Sequence, residues 1–188
     1  MTAPGGTTVA GDGDAKFPEF PVAQPLVLDL GCGNGVFLAG LAEAQPGWNV
    51  LGIEKKGYRV RQARRRAGDR PNARVRQGEV MEVLGGRPAG SVARVYLLFS
   101  DPWPKRRHAV RRLVQGEFAD LLAEKLQTDG TFFFASDSGE YDGWAREIFA
   151  ERGWRMGAWR VPEGWPQTEF EQRFASAGLN IWRFQATR

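Results

Sequence analysis

One cysteine and one histidine in 188 residues leave this chain little of the usual equipment for nucleophilic or acid-base catalysis. A single cysteine rules out an internal disulfide, and a reducing, cytoplasmic setting is the default expectation. No apolar run approaches the roughly 18 residues needed to cross a bilayer, and the N-terminus has no signal-peptide pattern, so no membrane association is expected. No internal repeat is visible, and no metal site is expected. The first 25 residues, rich in Gly, Pro, Thr and Ala, show little periodicity until Phe17 and Phe20. They predict a disordered tail over residues 1–16, followed by one domain over residues 17–188 whose length can bury a single core.

What the chain does have is concentrated. LVLDLGCGNGVFLAGLAEAQP (26–46) reads as a short buried strand, a glycine turn and a helix that ends at Pro46. Gly31, Gly33 and Gly35 allow the backbone to approach a ligand closely, next to the free N–H groups of a helix N-terminus. NVLGIEK (49–55) is a second strand ending in Glu54, an acid placed to accept hydrogen bonds from both hydroxyls of a ribose. The spacing is G-x-G-x-G preceded by Asp29, and Val36 stands where a dinucleotide fingerprint would carry its third glycine. Asp29 would repel a pyrophosphate at that helix end and welcome a ligand with a cationic amino-acid part. S-adenosylmethionine has that charge, so the residues favour methyl transfer over hydride transfer. Cys32, inside the turn, reads as a small filler, since no base that would activate a nucleophile is evident nearby.

VARVYLLF (92–99) is a continuous apolar run, the pattern of a strand buried on both faces. Pro102 and Pro104 end it, and Asp101 falls just beyond the strand's carboxyl end, where open α/β sheets bind ligands. Five cations follow within eight residues: Lys105, Arg106, Arg107, Arg111 and Arg112, with His108 among them. Residues 55–66 hold seven more, and neither stretch contains an acid, so the net charge of +4 hides a net acidic remainder. Both clusters follow strand ends. A cationic rim around a ligand site is the electrostatic footprint of a nucleic-acid substrate, although Arg59 to Arg66 alone also fits an exposed helix face. For His108, phosphate contact or loop packing fits better than acid-base work. Trp154, Trp159 and Trp165 read as packing, whereas Trp103 is a candidate base-stacking platform.

The rest continues the alternation: a strand over ARVRQGE (73–79), a helix over 118–126, a turn at Asp129-Gly130, a strand over TFFFASD (131–137), a helix over 141–151 and a closing strand over 180–185. This is an α/β pattern with a mainly parallel, twisted sheet and helices on both faces. Glu79 is placed either to accept from an adenine amino group or as a surface acid. Thr168 and Glu171 have capping-box spacing at the start of EFEQRF.

DLGCGNGVFL, GIEKK, FSDPWPKRRHAVRRL, the acid at Asp137 and TEFEQRF (168–174) together resemble the bacterial tRNA (guanine-N7)-methyltransferases, over roughly residues 26–186. The resemblance implies a Rossmann-like class I methyltransferase fold and transfer of a methyl group from S-adenosylmethionine to a variable-loop guanosine of tRNA, with no DNA partner expected. By the resemblance Asp29, Gly31, Gly33, Gly35, Glu54, Glu79 and Asp101 contact the cofactor, with Asp101 also at the reacting centre. Lys105, Asp137 and Thr168, Glu169, Phe170 and Glu171 meet the guanosine, and Arg106, Arg107, His108, Arg111 and Arg112 meet the RNA. Oligomeric state stays open between monomer and homodimer. Asp29 stands where many relatives carry Glu, Ser100 where many carry Pro, and the region before the first strand is shorter than in many of them.

Guanine N7 offers an in-plane lone pair and no proton, so methylation there needs positioning more than a base, which fits the scarcity of His and Cys. A fixed carboxylate near the ring would stabilise the cation that develops on it; Asp101 is the first candidate and Asp137 the second. A carboxylate would also accept from the N–H pair on guanine's Watson–Crick edge, with Glu171 favoured and Asp137 the alternative. Two competing classes remain: a methyltransferase acting on another RNA or a small molecule, and a catalytically silent RNA-binding module. The first does not need the cationic rim, at least for a small substrate, and the second does not need Asp29 and Glu54.

Overall fold

The computed structural model describes residues 19–188 and, of Arg106, the backbone alone. The expected tail over 1–16 lies outside the described residues. Seven strands, β1 (Leu26–Leu30), β2 (Asn49–Glu54), β3 (Ala73–Gln77), β4 (Val92–Leu98), β5 (Leu126–Ser136), β6 (Arg155–Gly157) and β7 (Trp182–Thr187), form one sheet in the order β3-β2-β1-β4-β5-β7-β6. The first five run parallel, and β7 enters antiparallel between β5 and β6. Parallel neighbours need crossovers long enough to hold a helix. These are α1 (Val36–Ala44), α2 (Gly57–Ala67), α3 (Val80–Gly85) and α4 (Gly116–Lys125); α5 (Gly139–Ala150) leads to β6 and α6 (Glu169–Ser176) precedes β7.

Strand alternation sorts the apolar residues onto two faces. Leu26, Leu28 and Leu30 of β1 and Phe132 and Phe134 of β5 join a core with Leu84, Phe118, Leu122, Tyr141 and Phe149 from the helices α3 to α5. Val27, Phe133 and Ala135 point the other way and meet Phe37, Leu38 and Leu41 of α1 and Val60 and Ala63 of α2. Stacked rings fill both layers, Phe132 on Phe149 at 4.9 Å and Tyr96 on Phe133 at 4.6 Å. Helices on both faces are therefore a direct consequence of strands that are apolar on both faces. Among the described residues no helix is long and apolar enough to cross a membrane.

Several element boundaries differ from the sequence pattern. β5 begins at Leu126, so Asp129 and Gly130 lie within the strand, and the register against β4 shifts between Val92 and Arg94. That irregularity absorbs extra residues before the alternation resumes at Thr131. β7 starts at Trp182 because its partner segment in β5 is Thr131–Ser136. β4 ends at Leu98, since Phe99 turns to a positive φ of 55°. Strand order reverses between β1 and β4, which places the ligand crevice beyond Leu30 and Leu98.

Candidate active site

The GCGNG turn takes positive φ at all three glycines, 69°, 57° and 82°. Gly35 shows why a side chain is excluded: a Cβ there would stand 2.7 Å from the Ala63 Cα, so α1 can begin only by closing directly on α2. The Cys32 thiol is buried, and its pKa is pushed far up, first by burial and then by Asp29 and Glu54. It is inert filler against β2, where a Cβ on Gly52 would meet its Sγ at 2.7 Å.

Beyond the strand ends lies a cavity of about 260 Å³. Its wall takes Asp29 from β1, Gly31, Cys32, Gly33 and Asn34 from the turn, Phe37 from α1, Tyr58, Arg59 and Gln62 from α2, Leu98 from the end of β4 and Phe99 just after it, and Thr168, Glu169 and Phe170 from the start of α6. Asp29 is 3% exposed, its Oδ2 has no hydrogen-bond partner, and burial with the neighbouring Glu54 pushes its pKa up to about 7. An acid in this condition favours a ligand cation, whose charge would restore the ionised form. Glu54 stands behind the turn: Oε2 accepts from the Gly33 N–H at 3.2 Å and Oε1 from the Lys56 N–H at 2.9 Å. It ties the glycine turn to the end of β2.

Asp101 is exposed, outside the cavity wall, and its Oδ1 accepts from the Trp103 N–H at 3.0 Å. Phe99 and Trp103, the two non-glycine residues with positive φ among those described, flank it. Such conformations cost free energy and cluster at functional sites. Asp137 is exposed just past β5; because Leu98 pairs with Ala135 across β4 and β5, both acids leave the same edge of the sheet. Lys105, Arg107 and Arg111 are exposed nearby. Trp103 meets the His108 ring edge-on at 5.8 Å, and the Arg111 guanidinium lies 5.0 Å from its ring centre. Arg106 opens the 3-10 turn Arg106–Arg111, and its side chain lies outside the described residues. Glu79 is exposed and paired with Lys55 at 3.5 Å, a surface position rather than a cavity one.

Two residues are more deeply placed than the cation run and the capping-box spacing suggest. Arg112, read as an RNA-facing cation, is buried, with Nε donating to the Pro102 carbonyl and Nη2 to Glu140. Arg111, the residue before it, faces solvent, but Nε and Nη2 of Arg112 are engaged within the protein. Glu171 is likewise buried, and its carboxylate accepts from Arg183 on β7. Only half of the capping box forms: the Thr168 Oγ1 accepts from the Glu171 N–H at 3.0 Å, while the Glu171 side chain turns to Arg183 instead of back to the Thr168 backbone. Glu169 pairs with Arg66 of α2 at 3.2 Å, and Phe170 stacks on Phe174, which touches Phe99. These links set α6 as one wall of the cavity.

Asp29, Gly31, Gly33, Thr168, Glu169 and Phe170 are thus brought together from the two ends of the chain. Tyr58, Arg59, Gln62 and Phe99 belong with them and were not singled out individually. Their position just past the ends of β2 and β4 was the available signal. For Arg183 there was none.

A seven-stranded sheet with a reversed penultimate strand, and a glycine turn presenting a buried acid at the switch point, define a methyltransferase of the open α/β class. A family model described as "Putative methyltransferase" matches residues 23–184. Solved structures of like fold include precorrin-6y C5,15-methyltransferase from Geobacter metallireducens GS-15, at 12% identity and TM-score 0.62 over 88% of this chain and 80% of that one. A SAM dependent methyltransferase from Archaeoglobus fulgidus superposes with TM-score 0.61, also at 12% identity, over 88% and 86%. Among sequence relatives, the tRNA (guanine-N(7)-)-methyltransferase of Azorhizobium caulinodans is 38% identical over 173 residues, 87% of this chain and 74% of the relative. That of Zymomonas mobilis is 33% identical over 174 residues, covering 88% and 75%. The chain belongs to the tRNA (guanine-N(7)-)-methyltransferase family.

Proposed function

We propose that this chain methylates N7 of a variable-loop guanosine in tRNA, with S-adenosylmethionine as donor, in the cytoplasm. The observation that carries the reading is Asp29: a buried acid with an unpartnered oxygen in the wall of a cavity at the switch point, where the donor's ammonium group fits. When bound, S-adenosylmethionine supplies an electrophilic methyl group on a sulfonium. Asp29 holds the amino-acid end, and Glu54, its carboxylate already oriented by two backbone N–H groups, offers its remaining lone pairs to the ribose hydroxyls. Phe99 and Phe170 supply apolar walls. No cofactor contact is assigned to Glu79, whose carboxylate is engaged by Lys55.

Guanine N7 needs no deprotonation, so the protein's task is to position the base and stabilise the charge that develops on it. The Asp101 carboxylate serves that charge. Exposed Lys105, Arg107 and Arg111, with exposed Arg61 and Arg65 of α2, form the surface for tRNA phosphates. The test is incubation with methyl-labelled S-adenosylmethionine and unmodified tRNA, followed by mapping of the labelled nucleotide. Label on a variable-loop guanine N7 is expected; label elsewhere, or none, overturns the reading.

The choice of guanine falls to Asp137, since the charge on buried Glu171 is already matched by the half-buried Arg183. Asp137→Asn should cut methylation about 100-fold with the melting temperature unchanged, consistent with the loss of a charge-assisted pair. Equal methylation by Asp137→Asn and wild type, with loss in Glu171→Gln at unchanged cofactor affinity, would return base reading to Glu171.

A further inference from the structure

The Arg112 side chain is 1% exposed, although Lys105, Arg107 and Arg111 of the same cation run face solvent. Its Nε donates to the Pro102 carbonyl at 2.8 Å, and its Nη2 to the Trp103 carbonyl at 3.4 Å and to Glu140 Oε1 at 2.8 Å. The guanidinium carbon lies 5.4 Å from the ring centres of Tyr141 and of Trp144. Two of these acceptors belong to the loop carrying Asp101. The third, with both rings, belongs to the helix α5 that follows Asp137.

We propose that Arg112 is a positioning residue for methyl transfer: it clamps the Asp101 loop onto α5 and so fixes Asp101 relative to Asp137. The proposal rests on the assignment of Asp101 to the reacting centre. From Arg112 the mechanical path to Asp101 is short. The guanidinium holds the carbonyls of Pro102 and Trp103, and the Trp103 N–H in turn holds Asp101 Oδ1 at 3.0 Å. Trp103 keeps a φ of 43°, a conformation that persists only where the surroundings over-determine it. On the other side, Glu140 lies in the first turn of α5, whose start is capped by Ser138 accepting from the Tyr141 N–H. A second, weaker tether joins the same elements, Ser100 Oγ to the Tyr141 hydroxyl at 3.4 Å. A planar fork can serve acceptors in two directions while stacking on rings, and a lysine ammonium cannot, so the site requires arginine specifically.

The clamp and the phosphate contact expected from the cation run predict different kinetics. The full chain would be compared with Arg112→Ala, Arg112→Lys, Glu140→Gln, Glu140→Ala, the double variant Arg107→Ala/Arg111→Ala, and Asp101→Asn. The readouts are single-turnover methylation at saturating tRNA and S-adenosylmethionine, tRNA affinity against salt, and melting temperature. A clamp predicts that Arg112→Ala and Arg112→Lys lose about 100-fold in rate, the scale of a roughly 1 Å misplacement, with the wild-type salt slope. Glu140→Gln should lose less, and the Arg107/Arg111 pair should flatten the slope. If Arg112→Ala flattens the slope as that pair does, or turns over at the wild-type rate, the clamp is overturned. Should the Arg112 variants fail to fold, Glu140→Ala, which removes the acceptor, decides: a reduced rate at unchanged melting temperature supports the clamp, and a normal rate refutes it. Loss in Asp101→Asn without loss in Arg112→Ala removes the clamp alone, whereas full activity in Asp101→Asn removes the reacting-centre assignment and the clamp with it.

Discussion

Asp29→Asn should lose 10- to 100-fold in S-adenosylmethionine affinity at pH 7 and yet melt at a higher temperature than the ligand-free wild-type chain. The loss corresponds to a charge-assisted hydrogen bond of roughly 1.5–3 kcal/mol. The gain in stability comes from the position of the acid, which is buried, unpartnered at Oδ2 and beside Glu54, so its pKa rises from 3.8 to about 7. A folded-state pKa above the unfolded one means that Asp29 contributes stability below about pH 4, which is lost progressively as pH rises through 7. At the alkaline end the penalty approaches the order of 4 kcal/mol, less whatever the buried asparagine amide itself costs. The advantage of the variant should therefore grow from pH 4 to pH 7 and then level off. In the wild type, cation binding must expel the Asp29 proton, so cofactor affinity should climb by up to about tenfold per pH unit towards 7. Calorimetry across that range, in buffers of differing ionisation enthalpy, reads both the slope and the released proton. A flat profile, or a variant that binds as the wild type does, would remove Asp29 from the cofactor site.

Asp101→Asn is expected to slow the single-turnover methylation step by about 100- to 1,000-fold, the scale on which one preorganised electrostatic group acts. The substitution is informative because the turn survives it: an asparagine Oδ1 can still accept from the Trp103 N–H, and the size is unchanged. Only the charge opposite the developing purine cation is lost. Cofactor and tRNA affinities should stay within about twofold of wild type, so the deficit belongs to the transition state rather than to binding. Wild-type turnover at saturating cofactor would reduce Asp101 to a turn residue and pass its role to Asp137.

Much of this was readable in one dimension, for local reasons. β1, the glycine turn and α1 follow from an apolar run, glycines at alternating positions and helical spacing, all within twenty-one residues of chain. Asp29 and Glu54 stood out because acids at the ends of apolar strands have few structural reasons to be there. Cys32 was identified as filler for want of an activating neighbour, and the structure adds that burial, with two acids beside it, holds the thiol protonated.

Tertiary structure decided which charges are free and which are spent, because a charge run carries no record of which member turns inward. Arg111 lies exposed over Trp103, while Arg112, the next residue, is buried against Glu140, Tyr141 and Trp144, elements that follow an entire helix later. Glu171 had the spacing of a capping box and instead found Arg183, whose place on β7 depends on antiparallel pairing with β5. The raised pKa of Asp29 needs both the burial provided by the folded sheet and Glu54 from the neighbouring strand. Local pattern determined where the acids of the site sit along the chain. Packing between segments far apart in sequence determined their ionisation, their partners and the wall that α6 adds to the cavity, since desolvation and ion pairing exist only once those segments meet.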